Sequence, residues 1–217
     1  MNIKVCGLKS EDNINALKQL DLDWMGFIFY EKSPRDVSEE AHLKTALLDE
    51  NWQSDIKKVG VFVNMRIHDI LHYVHDYHLD FVQLHGNERP EYCRELNNLW
   101  SMSSMRKAKI IKAFSIGAAE DFEHVQQYER HCAYFLFDTK GEAPGGNGVT
   151  FDWKLLDHYQ GITPFLLSGG ISEAEVPAIK KLTAPQLFGV DINSKFEQAP
   201  TIKDVKRIQH FIQMLKN

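Results

Sequence analysis

Two side chains in this sequence pair proton-transfer chemistry with a place to use it. Cys6 closes a short apolar run, Ile3-Lys-Val-Cys6, and Gly7 follows it. Asp138 closes another, Ala133-Tyr-Phe-Leu-Phe137, and residues 139–148 beyond it hold four glycines and a proline, which predicts no regular element there. A carboxylate at the carboxyl end of a buried strand is where an α/β barrel keeps its chemistry. An aspartate in that place also serves simply to cap a turn. A strand-end cysteine is as readily a small hydrophobe, and its thiol is a weak base unless something lowers its pKa from about 8.5. If the two face each other, one group removes a proton and the other delivers one, as the isomerisation of a sugar requires.

Other residues suggest what such a pair would act on. Ser168-Gly-Gly-Ile-Ser172 joins an apolar run to a helical pattern, and bare backbone N–H groups before a helix make an anion cradle. Ser172-Glu-Ala-Glu175 is a capping-box pattern that would fix the helix start. With Asn193 and Ser194 supplied by the last loop, Gly169 and Gly170 read as a phosphate site; the plainer alternative is a tight turn. Arg35, ending Lys32-Ser-Pro-Arg35, offers a planar guanidinium suited to a ligand carboxylate, or is a surface arginine on a long loop. His85 and Asp191 sit at further strand ends. Lys112 is the candidate if the chain were another sugar-phosphate barrel enzyme using a lysine. His68, His72, His75 and His78 lie along one helical pattern beside an apolar stripe, away from the strand ends, and read as solvated face rather than metal ligands. Gly145-Gly-Asn-Gly148 lacks both the GxGxxG spacing and the GKS/GKT ending of nucleotide loops. No metal and no cofactor is expected.

The elements that must position these residues alternate along the chain. Strands are predicted over 3–6, 24–30, 58–63, 81–84, 110–114, 134–137, 164–167 and 187–190. Helices are predicted over 10–20, 38–48, 66–78, 90–96, 118–129, 153–158, 172–182 and 202–215. Strands alternating with helices imply parallel pairing and right-handed crossovers. Eight such units in 217 residues match a single-domain (β/α)₈ barrel, an α/β fold of TIM-barrel type spanning 1–217. A doubly wound open sheet is the alternative. Residues 97–109, with Trp100, Met102 and Met105, read as loop or helix end.

Composition narrows the class. The chain is 43% hydrophobic and 25% charged, an ordinary globular balance. A formal charge of −5 without a basic block argues against nucleic-acid or membrane-surface binding. Three cysteines, far apart and without CxxC spacing, give neither a disulfide framework nor a zinc signature, so Cys93 and Cys132 read as small hydrophobes. With no leader pattern and no apolar run of membrane length, the chain reads as cytoplasmic. Composition leaves monomer and homodimer open.

In order along the chain, Lys4-Val-Cys-Gly-Leu8, Gly26-Phe-Ile-Phe29, Lys32-Ser-Pro-Arg35, Val59-Gly-Val-Phe-Val-Asn64 and Val82-Gln-Leu-His-Gly86 resemble the phosphoribosylanthranilate isomerases of tryptophan biosynthesis. So do Phe137-Asp-Thr139, Gly145-Gly-Asn-Gly-Val-Thr-Phe-Asp-Trp153, Ser168-Gly-Gly170 and Gly189-Val-Asp191. The resemblance implies a cofactor-free Amadori rearrangement of a phosphorylated sugar–anthranilate substrate. It implies Cys6 as general base and Asp138 as general acid, with the phosphate at Gly169, Gly170, Asn193 and Ser194. It implies Arg35 on the anthranilate carboxylate, with Asp191 and His85 lining the substrate region. The eighth loop departs from the family: Asn193-Ser-Lys-Phe-Glu197 stands where Ser-Ser-Gly-x-Glu is usual. That departure is the one support for a further alternative, a non-catalytic binding barrel.

Overall fold

The apolar runs form eight parallel strands that close on themselves. They are β1 (Asn2–Val5), β2 (Trp24–Phe29), β3 (Lys57–Phe62), β4 (Phe81–Leu84), β5 (Lys109–Ile116), β6 (Tyr134–Thr139), β7 (Phe165–Leu167) and β8 (Leu187–Ile192). Each pairs with the next in sequence order, and β1 with β8 completes the circle, setting Lys4 opposite Asp191. The structure, a computed structural model, describes residues 1–48, 52, 55–104, 106–139 and 151–217. The glycine-rich loop singled out above, with Gly145-Gly-Asn-Gly148, lies outside the described residues apart from Thr139, as does Met105.

Alternation along each strand sorts side chains between two cores. Ile3 and Val5 point outward into the large core between strands and helices, together with Phe27, Phe29, Phe135 and Phe137. The intervening residues point into the barrel, where Val59, Ile111, Ala113, Leu136 and Leu166 pack. The bottom of the barrel is closed by aromatic rings from the even-numbered strands: Trp24 lies 4.5 Å from Phe81 and 5.5 Å from Phe188, and Tyr134 lies 4.6 Å from Phe188. One strand contributing per layer in alternation is how barrels of this kind fill their interior. The cavity therefore opens at one end only, where the strands terminate.

The outer layer is less helical than its pattern predicts. Six α-helices are present among the described residues: α1 (Glu11–Leu17), α2 (Ala41–Leu48), α3 (Ile67–Asp76), α4 (Pro90–Met102), α5 (Val176–Ile179) and α6 (Val205–Lys216). The helix expected over 118–129 is instead two 3₁₀ turns, Ala119–Phe122 and Val125–Tyr128, and the stretch Trp153–His158 is also 3₁₀. Phe122 and Val125 are both buried, so two tight turns seat the apolar side chains that one amphipathic helix was expected to seat. The helix expected over 172–182 breaks into a 3₁₀ turn, Glu173–Glu175, and the short α5, where Pro177 removes a backbone donor. Conversely, α4 runs on to Met102 because Trp100, 3% exposed, finds a core position. The closing helix starts at Val205, capped by Asp204, since Ile202–Lys203 (β10) pairs antiparallel with Glu197–Ala199 (β9). That small hairpin carries two residues of the site.

Candidate active site

Cys6 follows β1 directly; its backbone N–H donates to Ile192 O at 2.9 Å, which ties it to the end of β8. Asp138 is the penultimate residue of β6, and Asp191 lies on β8. All three reach one cavity at the strand ends. Gln83, His85, Gly169, Gly170, Asn193, Ser194 and Lys195 line it as well, with Ile28, Val61, Val63 and Ile171 as an apolar wall. Eight of the nine residues picked from sequence thus meet in one place. Arg35 sits beside it, above Gly7.

Each side of the cavity is built by a local rule. Gly169 and Gly170 follow β7 with φ of +89° and +65°, backbone that favours glycine, and a Cβ on Gly169 would run into the Thr139 hydroxyl and approach Asp138 Oδ1 to 2.8 Å. Gly169 therefore packs against the acid itself. Ser172 behaves as the pattern predicts: its N–H donates to Glu175 Oε2 at 2.7 Å and its hydroxyl accepts from Ala174 N–H at 3.3 Å. Asp138 Oδ1 accepts from Thr139 N–H at 2.9 Å, and Oδ2 lies 3.5 Å from His85 Nε2. Gln83 Nε2 lies 2.8 Å from His85 Nδ1; with the amide donating there, the ring proton sits on Nε2 and faces Asp138. Gln83 Oε1 is buried in the cavity wall and has no partner among the described residues.

The floor is charged. Lys4, fully buried, pairs with Asp191 at 2.9 Å, directly beneath Cys6. Burial opposes the Lys4 charge, but Asp191 and Cys6 outweigh it and hold the ammonium above its ordinary range. Burial pushes the Cys6 thiol up; Lys4 pulls it down and Asp191 pushes it further up. Burial likewise raises the Asp191 carboxyl despite Lys4.

Arg35 does not point freely at the cavity. Its Nε and one terminal nitrogen each donate to Glu197 at 2.7 Å, a bidentate pair. Glu197 also accepts from Lys203 at 2.8 Å, and Lys203 reaches Asn193 Oδ1 at 2.6 Å. Burial alone would raise the Glu197 carboxyl, but these two donors hold it below the ordinary carboxylate range. At Lys203 burial wins, and its ammonium is pushed down in spite of Glu197. The chain of contacts links the second loop to the eighth.

Lys112, the lysine of the alternative reading, points away from the cavity. It is 3% exposed and donates to Gly86 O at 2.8 Å and to Glu88 at 3.2 Å. His68 and His72 meet edge to face on α3, ring centroids 4.5 Å apart, and among the described residues no group of three or more His, Cys, Asp or Glu side chains is arranged to hold a metal. Cys93 and Cys132 are buried free thiols in the outer core. No helix among the described residues is long and apolar enough to cross a membrane.

Residues 3–214 match the family model for N-(5′-phosphoribosyl)anthranilate (PRA) isomerase. The chain belongs to the PRA isomerase family. It is 45% identical to the N-(5′-phosphoribosyl)anthranilate isomerase of Parabacteroides distasonis, over 99% of this chain and 93% of that one. It is 40% identical to that of Phocaeicola vulgatus, over 100% and 98%. Among solved structures, the phosphoribosyl anthranilate isomerase of Thermotoga maritima superposes with a TM-score of 0.83 at 30% identity, covering 100% of this chain and 98% of that one. A phosphoribosyl anthranilate isomerase in complex with reduced 1-(o-carboxyphenylamino)-1-deoxyribulose 5-phosphate superposes with a TM-score of 0.80 at 28% identity, with the same coverage.

Against the PRA isomerase pattern, the altered eighth loop keeps Glu197, the partner of Arg35 and Lys203, while Lys195 lines the cavity in place of the usual glycine. Sequence reasoning assigned no role to Lys4, Glu197 or Lys203. For Lys4 a signal was present: it stands two residues before Cys6 on a strand, hence on the same face, and a lysine inside a buried strand needs a partner. For Glu197 the signal was its retained place in the family's eighth-loop pattern; Lys203 gave none, because Ile202 and Lys203 read as the first turn of a helix.

Proposed function

We propose that this chain converts N-(5′-phosphoribosyl)anthranilate to 1-(2-carboxyphenylamino)-1-deoxyribulose 5-phosphate in tryptophan biosynthesis, with Asp138 as general acid and Cys6 as general base. Asp138 protonates the ribose ring oxygen, and the ring opens to a Schiff base. Cys6, as thiolate, takes the proton from C2′, leaving an enolamine that tautomerises to the ketose. The substrate's phosphate docks at the Gly169–Gly170 turn with Asn193 and Ser194, and Lys195 adds charge. His85 lies 3.5 Å from Asp138 and Asp191 lines the sugar region, where the buried Gln83 Oε1 is an acceptor for a hydroxyl. Arg35 meets the anthranilate carboxylate by sharing its guanidinium with Glu197. The apolar wall of Ile28, Val61 and Val63 gives the aromatic ring a dry surface.

The observation that carries this reading is that Cys6 and Asp138, 132 positions apart in the chain, line the same cavity as the two glycines after β7. Anthranilate fluorescence makes the test direct: consumption of phosphoribosylanthranilate is followed with the wild-type chain and with Cys6→Ala. The wild type turns over. Cys6→Ala loses about 10²–10⁴ in rate while binding a reduced product analogue within about tenfold of wild type. Near-normal turnover in Cys6→Ala would remove the thiol from its role, and a folded wild type without turnover would leave a binding barrel.

A further inference from the structure

The floor of the cavity holds an ammonium with no role in the chemistry above. Lys4 and Cys6 stand on the same face of the first strand, and Lys4 is fully buried. One of its three N–H donors goes to Asp191 Oδ1 at 2.9 Å. Gly26, on the neighbouring strand, opens the space between them: a Cβ there would meet Cys6 Sγ at 2.8 Å and Lys4 Nζ at 3.1 Å. Sulfur and ammonium thus flank one empty point and lie no more than about 6 Å apart, the range over which an opposite charge moves an ionisation by about one to three pH units. A side chain at 26 would crowd both.

We propose that Lys4 is a positioning residue that offsets part of the cost burial places on the Cys6 thiolate, Gly26 leaving room for the ammonium and the sulfur side by side. The inference rests on Cys6 being the base, but its test does not. Burial by itself favours the neutral thiol, so a base at this site needs a cation beside it. The charges facing Cys6 are Lys4 on its own strand, Asp191 on β8, Lys203 on β10 and Arg35 on the second loop, with Asp138, His85 and Lys195 lining the same cavity. Arg35 and Lys203 are committed to Glu197, and Lys195 stands with the proposed phosphate site. Asp191 disfavours the thiolate. Among the described residues, Lys4 is the cation that shares a strand face with the sulfur.

The experiment measures the pH dependence of iodoacetamide alkylation at Cys6, read by mass spectrometry of the peptide that contains it, so that Cys93 and Cys132 do not contribute. In Lys4→Met, thiolate at fixed pH falls about tenfold or more, and the alkylation midpoint rises by at least about one pH unit. Lys4→Met strands Asp191, so Lys4→Met/Asp191→Asn is measured beside it. A midpoint that stays raised in the double variant assigns the effect to the lost ammonium, whereas a return to the wild-type midpoint assigns it to the bare carboxylate and overturns the proposal. If Lys4→Met does not fold, Gly26→Ala keeps the charge and sets a methyl against both groups, which must shift to admit it; a raised midpoint supports the proposal and an unchanged one overturns it. The pH profile of kcat/KM separates the two readings: a shifted alkylation midpoint with an unshifted acid limb leaves Lys4 in place and removes Cys6 as the base.

Discussion

Asp138→Asn tests the acid with the least disturbance to the site. Asp138 is 5% exposed, and its Oδ1 accepts from Thr139 N–H at 2.9 Å. Asparagine keeps that contact through its carbonyl oxygen; its amide nitrogen then stands where Oδ2 now lies, a donor facing the His85 Nε2 proton at 3.5 Å, so that one contact is given up. Volume is conserved, no backbone donor is stranded, and the Gly169 turn packed against this side chain stays seated. What disappears is the ability to hand over a proton. A positioned proton-transfer group is worth about 10²–10⁴ in rate, or about 2.7–5.5 kcal/mol of barrier. Ground-state binding loses at most about one ordinary hydrogen bond, about 1 kcal/mol, so affinity for a reduced product analogue stays within about tenfold. The assay is steady-state consumption of phosphoribosylanthranilate by fluorescence, with analogue affinity measured separately. A kcat within about fivefold of wild type would refute the assignment. A large loss of analogue affinity would show that Asp138 acts chiefly in binding.

Gly169→Ala forces an L side chain to φ +89° and against Thr139 and Asp138, so it costs about 1–3 kcal/mol in urea unfolding and lowers turnover as well; wild-type stability would show that the turn relaxes freely. Glu197 has its carboxyl held below the ordinary value of 4.5, so the stability it contributes is present above that pH and is lost as pH falls through the lowered value. The unfolding free-energy advantage of the wild type over Glu197→Gln accordingly shrinks on acidification, and a pH-independent gap would contradict the pairing with Arg35 and Lys203. Lys58, buried and over the Trp52 ring at 4.5 Å, has its ammonium pushed down to about 8 from the ordinary 10.5 by burial. A depressed lysine opposes folding while charged in both states, so wild-type stability rises relative to Lys58→Met as pH climbs from about 8 to 10.5; a flat difference across that window would refute it.

How far the sequence reaches depends on the kind of interaction involved. The strands were legible because burial on both faces demands continuous apolar runs, as in Phe135-Leu-Phe137 and Val59-Gly-Val61. The Ser172–Glu175 capping box was legible because both partners lie within one turn. The helices failed where side-chain period and backbone geometry part company. Residues 118–129 carry apolar positions that two 3₁₀ turns seat as well as one α-helix would, and no local rule distinguishes the two.

The site divides along the same line. The sequence by itself determined the fold class, the strand ends, and the candidacy of Cys6, Asp138, Gly169, Gly170, Asn193 and Ser194, since residue type and position at a strand end are local properties. Tertiary structure alone decided that these residues share one cavity, that Lys112 turns away from it, that Arg35 is clasped by Glu197, and that Lys4 and Asp191 form a charged floor beneath the thiol. Those are contacts between residues up to 187 positions apart, and only closure of β1 onto β8 brings them within reach. Electrostatic energy depends on distance and burial, and a sequence states neither.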